Sequence, residues 1–427
     1  MKKILEKIYE LKNKGFFSIV ISSTIVKAIM FLSAMFLPRF LSKNSYGTLS
    51  YSETIISYLL LISGFGLSNA TLKYGSLTDD KKYRNRIFFS TNVIGTIFNI
   101  IFAVIAFGII FISPSVISEA KVITITLLGI PFITFLFQNS QMLFRSEFEN
   151  NKYSILSIIY TLLYVGLQIA GAIVKDITGV VVGRYIALTA SFIIAILMIK
   201  DTNGFTCRMV ENTQILQMLK YSIAVLIGNF FSTAILNNEV LILGNVFKNT
   251  SIIADYRVSS YALQICNFLA DSIMIYEIPF FARNERDKKW IWSKYKKIVF
   301  ANGIIVGLIV IILFTFSKEF ISIIWGSAYI NAVPVMKRLL IAAFFTTTLR
   351  VVAGNVLSVI GKEKFTLMIN AISCVSHFGI DICVYKTLGE RGIGYGLTLV
   401  YLCSGLAMMI ELYRYCHEMN KLENEHQ

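Results

Sequence analysis

Twelve stretches of predominantly apolar residues, each close to the length of a membrane span, constrain this chain more than any motif in it. Their approximate limits are 16–37, 45–67, 87–112, 122–144, 154–174, 179–199, 221–246, 258–281, 298–316, 332–358, 365–385 and 393–413. About 20 such residues, rising roughly 1.5 Å each, cross the roughly 30 Å hydrocarbon layer as one helix. The expected fold class is therefore an all-α integral membrane protein with about twelve transmembrane helices. Composition agrees: 56% of the 427 residues are hydrophobic and 15% are charged, against about 25% charged in soluble domains. The segments between runs leave no room for a soluble domain, the longest being 68–86 and 200–220.

A net charge of +15 points to nucleic acid when Lys and Arg form surface patches, but here their positions describe a topology. Sorting the loops alternately with the N-terminus inside places 26 of the 40 basic residues in inner segments, 9 in outer segments and 5 within the runs. Cytoplasmic loops carry such an excess, so both termini are expected to be cytoplasmic and no nucleic-acid partner is expected. The Lys-rich start followed by an apolar run resembles a signal peptide, yet the run is long and no small-residue cleavage site follows, so it reads as the first span. Within 1–15, Ile4, Leu5, Ile8 and Leu11 face away from Lys3, Lys7 and Lys14, the pattern of an interfacial helix. Trp290, Trp292 and Trp325 fall at run ends or in an outer loop, where interfacial aromatics belong.

Several chemistries are excluded by what the loops lack. The six cysteines show no CxxC spacing, so neither a disulfide framework nor a zinc site is expected. No GxxxxGK[ST] motif is present, so this chain has no site for ATP-driven work. No loop carries a cluster of acidic, His or metal-binding residues of the kind a membrane-embedded polymerase presents. Whatever the chain does is expected to happen within the bilayer, and not by catalysis.

Inside the runs, polar residues recur at i, i+3, i+4 and i+7, which places them on one helical face. The eighth run reads Ser260, Gln264, Asn267, Asp271; the eleventh reads Asn370, Ser373, Cys374, His377, Asp381; the tenth reads Thr346, Arg350, Gly354, Ser358. Small and polar residues also serve simply as helix-packing contacts in membranes. Charges are different, since one at the bilayer centre costs about 2.5 to 3.5 kcal/mol. Lys27, Arg350, Glu53, Glu239, Asp271 and Asp381 lie several residues inside their runs, and a water-filled pathway is the stronger reason to keep them there. Arg184, Glu277, Lys337 and Glu411 lie near run ends, where long side chains snorkel to the interface. The sixth and ninth runs carry few polar residues and are expected to face lipid.

Read in order, FLSKNSYGTLSYSETIISYLLLISGFGLSNATLKYGS (40–76), KYSIAVLIGNFFSTAILNNEVLILGNVF (220–247), IIADYRVSSYAL (252–263), FSKEFISIIWGSAYINAVPVMKRLLIAAF (316–344), VLSVIGKEK (356–364) and LGERGIGYGLTLVY (388–401) resemble the polysaccharide-transport branch of the multidrug/oligosaccharidyl-lipid/polysaccharide exporter superfamily. Within it the chain is similar to O-antigen flippases over almost its whole length. The resemblance implies two six-helix bundles around a central cavity. They divide here as an interfacial helix (1–15), a first bundle (16–200), a cytoplasmic linker (201–217), a second bundle (218–414) and a cytoplasmic tail (415–427). It also implies a bacterial inner-membrane location and a lipid-linked oligosaccharide substrate. Membrane lipids and other polysaccharide-assembly proteins are the remaining expected partners. Where the family pattern continues its Asn-rich stretch into Asp, this chain has Glu239, a carboxylate longer by one methylene.

The expected activity is translocation of a polyprenyl-pyrophosphate-linked repeat unit from the cytoplasmic to the periplasmic leaflet. Lys27 and Arg350 are candidates to offset desolvation of the pyrophosphate, with Gln264 and Asn267 as candidates to bind sugars. Glu53, Glu239, Asp271, Asp381 and His377 are candidates for coupling to an ion, H⁺ or Na⁺, that biases inward and outward states. No resident cofactor is expected. The alternatives are a multidrug exporter of the same superfamily, against which the deep cations Lys27 and Arg350 argue, and a membrane-embedded enzyme of envelope polysaccharide assembly.

Overall fold

The computed structural model describes residues 16–113, 117–203 and 207–417; the interfacial helix expected over 1–15 and the tail beyond His417 lie outside the described residues. Every regular element in them is helical: α1 (Phe16–Phe36), α2 (Lys43–Ile62), α3 (Leu67–Gly75), α4 (Lys81–Ile112), α5 (Ser118–Leu127), α6 (Ile130–Ser146), α7 (Asn150–Asn203), α8 (Asn212–Phe247), α9 (Thr250–Arg283), α10 (Lys288–Thr315), α11 (Ser317–Ile324), α12 (Val333–Phe345), α13 (Val352–Val359), α14 (Glu363–Leu388) and α15 (Tyr395–His417). Four of the starts are fixed by side chains that take an orphan N–H: Ser42 from Ser45 at 3.1 Å, Asp80 from Lys82 at 2.8 Å, Asn249 from Ser251 at 2.9 Å and Asp287 from Trp290 at 2.9 Å.

Among the described residues, nine helical stretches are long and apolar enough to cross a membrane. One of them, running from Asn150 to Lys200, is two passes, because Lys175 (φ −141°) and Asp176 (φ 51°) leave the helical region and turn the chain back. The first and seventh apolar runs fall in α1 and α8. The protein is a multi-pass, all-α membrane protein. Large apolar side chains stand exposed along α4 (Val104, Ile109, Ile112) and α10 (Leu308, Ile311), as surfaces wetted by lipid require.

The chain forms two compact units, Met1–Phe230 and Phe231–Gln427. Helix α8 begins at Asn212, inside the segment expected as a linker, and only Cys207–Glu211 of that linker's described part is non-helical. In the first unit the second span is broken: Gly64, Phe65 and Gly66 all have positive φ (56°, 54° and 70°) between α2 and α3. Asn99 on α4 takes up what the break frees, its Oδ1 accepting from Gly64 N–H at 3.2 Å and lying 3.0 Å from Ser63 Oγ. The ring of Phe135 fills the space that side chains at Gly64 and Gly95 would occupy, so that a Cβ at either position would collide with it. The two passes of α7 cross backbone to backbone, and a Cβ at Gly171 would run into the carbonyl of Gly179. Small residues bring membrane helices together in this way where hydrophobicity supplies no drive.

In the second unit α12 and α13 form one span joined by a wide π-turn, Thr346–Val351. The threonine run explains it: Thr347 Oγ1 bonds Ala343 O at 2.7 Å and Thr348 Oγ1 bonds Phe344 O, competing with the backbone ladder. Asn302 on α10 donates to Thr347 O at 2.7 Å. The ninth run therefore presents one buried polar contact beside its lipid-facing side. Trp325 is buried and stacked on Tyr261 of α9.

Candidate functional site

The π-turn places Arg350 on the wall of a cavity of about 400 Å³ inside the second unit. The cavity is lined from α9 by Asn267 and Asp271, from the turn and α13 by Thr346, Arg350, Asn355 and Ser358, from α14 by Thr366 and Asn370, and from α15 by Tyr401 and Met408. Arg350 Nη2 donates to Asn370 Oδ1 at 2.7 Å, and its guanidinium lies 5.2 Å from the centre of the Tyr401 ring, a cation–π contact. Gly405 lets α15 approach, since a Cβ there would stand 2.8 Å from Leu349 Cβ. Three buried polar atoms of this lining have no hydrogen-bond partner among the described residues: Arg350 Nε, Asn267 Oδ1 and Thr366 Oγ1. That is one donor, one acceptor and one group that does either. Buried polar groups are ordinarily satisfied, so this lining has hydrogen-bonding capacity to spare. π-turns often sit at functional sites.

A second polar centre in the same unit is completely buried. Glu239 on α8 meets His377, Asp381 and Tyr385, which occupy one face of α14 at four-residue intervals; all four are at most 3% exposed. His377 Nε2 lies 3.1 Å from Glu239 Oε2 and 2.8 Å from Asp381 Oδ2. Tyr385 O–H and, at 3.2 Å, Gly394 N–H donate to Glu239 Oε1. Gly394 precedes α15, so this amide belongs to a helix N-terminus, whose partial positive charge favours a carboxylate. Gly396 is obligatory in another way, since a Cβ there would collide with Asp381 Oδ1. The turn leading into Gly394 is held by Arg338 on α12, which donates to Arg391 O, to Ile393 O at 2.8 Å and to Pro334 O at 3.0 Å.

In the first unit Glu53 on α2 pairs with Arg184 on α7. Arg184 Nε donates to Gln168 Oε1 at 3.1 Å, Gln168 Nε2 donates to Ser33 Oγ at 2.7 Å, and the guanidinium lies 5.4 Å from the Tyr164 ring centre. Arg184 is buried, which corrects the expectation that it snorkels and that the sixth run is featureless: Glu53 and Gln168 supply acceptors in the bundle interior. The other three residues expected to snorkel also have partners. Glu277 pairs with Lys294 at 3.0 Å, Glu411 with Lys362 at 3.2 Å, and Lys337 lies 4.9 Å from the Phe314 ring centre.

The sequence candidates thus separate into groups. Arg350, Asn267 and Asp271 share the cavity; Glu239, His377 and Asp381 share the buried centre; Glu53 is engaged by Arg184. Gln264 is exposed one turn from Asn267 and does not line the cavity. Lys27 is exposed on α1 and, among the described residues, has neither an ion pair nor a hydrogen bond. Tyr385, Gly394, Thr366, Tyr401 and Arg338 join these sites without having been singled out by sequence. Tyr385 continues the stripe His377, Asp381 by one more four-residue step, a signal that was available.

The model of a family described as polysaccharide biosynthesis protein matches residues 36–334. No curated protein sequence matches the chain. Among solved structures, the fold is similar to an inward-facing multidrug resistance MATE family transporter of the MOP superfamily, with TM-score 0.78 at 11% identity over 93% of this chain and 96% of that one. It is similar also to the lipid II flippase MurJ in an inward closed conformation, with TM-score 0.73 at 13% identity over 92% and 87%. An outward-facing conformation of a multidrug resistance MATE family transporter aligns with TM-score 0.59 at 12% identity over 96% of each chain. The chain belongs to the polysaccharide biosynthesis protein family and has the fold of the MOP-superfamily transporters.

Proposed function

We propose that the protein is a flippase that moves a polyprenyl-pyrophosphate-linked oligosaccharide repeat unit, such as an O-antigen unit, from the cytoplasmic to the periplasmic leaflet of a bacterial inner membrane. Alternating access coupled to an ion gradient is the mechanism. The observation that carries this reading is the cavity beside Arg350, where amides, hydroxyls and one guanidinium line a space within an apolar bundle and three buried polar atoms have no partner among the described residues. A drug exporter that takes organic cations gains nothing from an arginine there. One arginine and one aspartate line the cavity, so its charges balance and it suits the uncharged sugar portion better than a pyrophosphate. Lys27 remains a candidate for the pyrophosphate, because it is exposed and has no carboxylate paired with it among the described residues. In low dielectric a single ammonium offsets much of the cost of stripping water from such an anion. The lipid tail stays in the bilayer throughout. The family description and the likeness of fold to MurJ support the lipid-linked substrate.

Deletion of the gene in its own host tests this. Single repeat units confined to the inner leaflet, with complementation by the wild type and not by Arg350→Ala, are the expected outcome. Single units facing outward would instead identify a polymerase. Unchanged lipid intermediates together with heightened drug sensitivity would identify a multidrug exporter.

A further inference from the structure

One stripe of α10 faces outward along most of the helix. Phe300, Ile304, Leu308 and Ile311 are exposed, and at 100° per residue they fall within about 80° of one another. In a membrane protein only acyl chains can cover such a surface. Carried back toward the start of the helix, the same stripe passes through Lys297, Lys296, Ser293 and Lys289, all of them exposed. The surface thus changes from apolar to cationic within one turn.

Helix α15 repeats the pattern beside it. Leu399, Leu406 and Ile410 are exposed along its length, and the following turn adds Tyr413 and Arg414, also exposed. The two polar ends touch through their aromatics: the Trp292 ring centre lies 5.4 Å from that of Tyr413 and 5.7 Å from that of His417. Lys296 Nζ is 6.0 Å from the Trp292 ring centre. Trp and Tyr settle at headgroup level in a bilayer, so this cluster lies where lipid phosphates do.

The cations at this end divide into two sets. Lys294 pairs with Glu277 at 3.0 Å, Lys362 pairs with Glu411 at 3.2 Å, and Lys288 lies 4.7 Å from the Tyr415 ring centre. Lys289, Lys296, Lys297 and Arg414, which continue the exposed stripes, have no ion pair among the described residues. Segment 282–297 holds seven Lys and Arg against two acidic residues, so the local excess is not answered within it. A molecule that carries acyl chains below an anionic headgroup meets both parts of the stripe in order, whereas a soluble phosphate meets only the upper one. None of the four unpaired cations lines the Arg350 cavity.

We propose that the ends of α10 and α15 form a binding site for an anionic phospholipid of the surrounding bilayer. Lys289, Lys296, Lys297 and Arg414 face its phosphate, Trp292 and Tyr413 flank the headgroup, and the stripe from Phe300 to Ile311 takes an acyl chain. Basic residues near a membrane surface favour anionic lipid in this way. The site lies on the perimeter of the second unit and holds a lipid that stays in its leaflet.

The melting temperature of the purified full-length protein in a neutral detergent tests this. Phosphatidylglycerol added in mixed micelles should raise it saturably, phosphatidylcholine with the same chains should not, and inorganic pyrophosphate should not compete. Lys296→Gln with Lys297→Gln should raise the half-saturating phosphatidylglycerol concentration about thirtyfold, the effect of removing two basic residues near an anionic surface, while Lys81→Gln with Lys82→Gln, which removes the same charge from α4, should shift it less than about threefold. An equal rise with phosphatidylcholine, competition by pyrophosphate, or an equal shift in the α4 pair overturns the proposal. The headgroup comparison needs only the wild type, so it decides even if a variant fails to fold. No readout involves a lipid-linked sugar or its transport, so the result stands apart from the flippase reading.

Discussion

The two units each hold a charge in an apolar bundle and satisfy it in opposite ways. Around Arg184 the partners follow in sequence: Glu53, then Gln168, whose amide passes the demand on to Ser33. Around Glu239 three donors converge on one carboxylate, and one of them, His377 Nε2, also lies 2.8 Å from a second, Asp381. A closed chain of partners has one good arrangement and serves as a joint between helices. A centre in which one ring nitrogen faces two carboxylates has more acceptors than donors. The same residue types thus make a rivet in one place and an acceptor-rich cluster in the other.

The comparison breaks most readily at the rivet. Arg184 with Glu53→Ala is a buried guanidinium without its carboxylate, and the expected loss is about 3 kcal/mol, the low end for a broken buried pair because Glu53 is partly exposed. Replacing both, as Arg184→Met with Glu53→Leu, should recover most of that loss in chemical unfolding of the detergent-solubilised protein. If the double variant is no better than the single, Arg184 is not acting as a static joint. Next in size is Gly396→Ala, which drives a methyl into Asp381 Oδ1 and should cost about 1 to 3 kcal/mol while also abolishing any response of transport to an imposed pH gradient. An equal loss of stability with the pH response intact would separate the helix contact from any ion coupling.

Subtler still is His377→Gln, which retains an N–H near Glu239 but cannot carry the charge. Expected is a folded protein whose gradient-driven transport falls about tenfold, the effect of losing one charge-assisted hydrogen bond of roughly 1.5 kcal/mol. In the cavity, Arg350→Lys retains charge and loses the planar fork that reaches Asn370. It should weaken transport less than Arg350→Ala does, as read from the lipid-linked units left on the inner leaflet. Smallest of all is Lys27→Ala, expected to leave unfolding within about 0.5 kcal/mol of wild type, because the side chain is exposed and without a partner among the described residues. Its expected effect on transport alone would assign Lys27 to the substrate and not to the fold.

Much of this was legible in the sequence, for reasons that can be named. Span length and apolarity are local properties, so each of the twelve runs coincides with a helix or a helix pair, and even the turn at Lys175–Asp176 was visible as a short polar interruption. His377 and Asp381 share a helix, so their spacing placed them together. Glu239 was suspected from its depth and from the family pattern, while its partners were hidden, since its contact with His377 spans 138 residues. Arg184 was misread because position along a span says nothing of a carboxylate on another helix. The roles of Gly394 and Gly396 were invisible, being a backbone N–H and the lack of a side chain. The cavity owes its shape to a π-turn, and Thr346–Thr348 was the available hint, readable only once competition for the backbone carbonyls is considered.

The break at Gly64–Gly66 has a mechanical consequence. A continuous helix carries torque from end to end because each turn is bonded to the next. Three consecutive left-handed residues interrupt that ladder, and the ring of Phe135 seated between Gly64 and Gly95 acts as the bearing. The second span is therefore two helical pieces whose link is carried by Asn99 and the Phe135 ring in place of the backbone ladder.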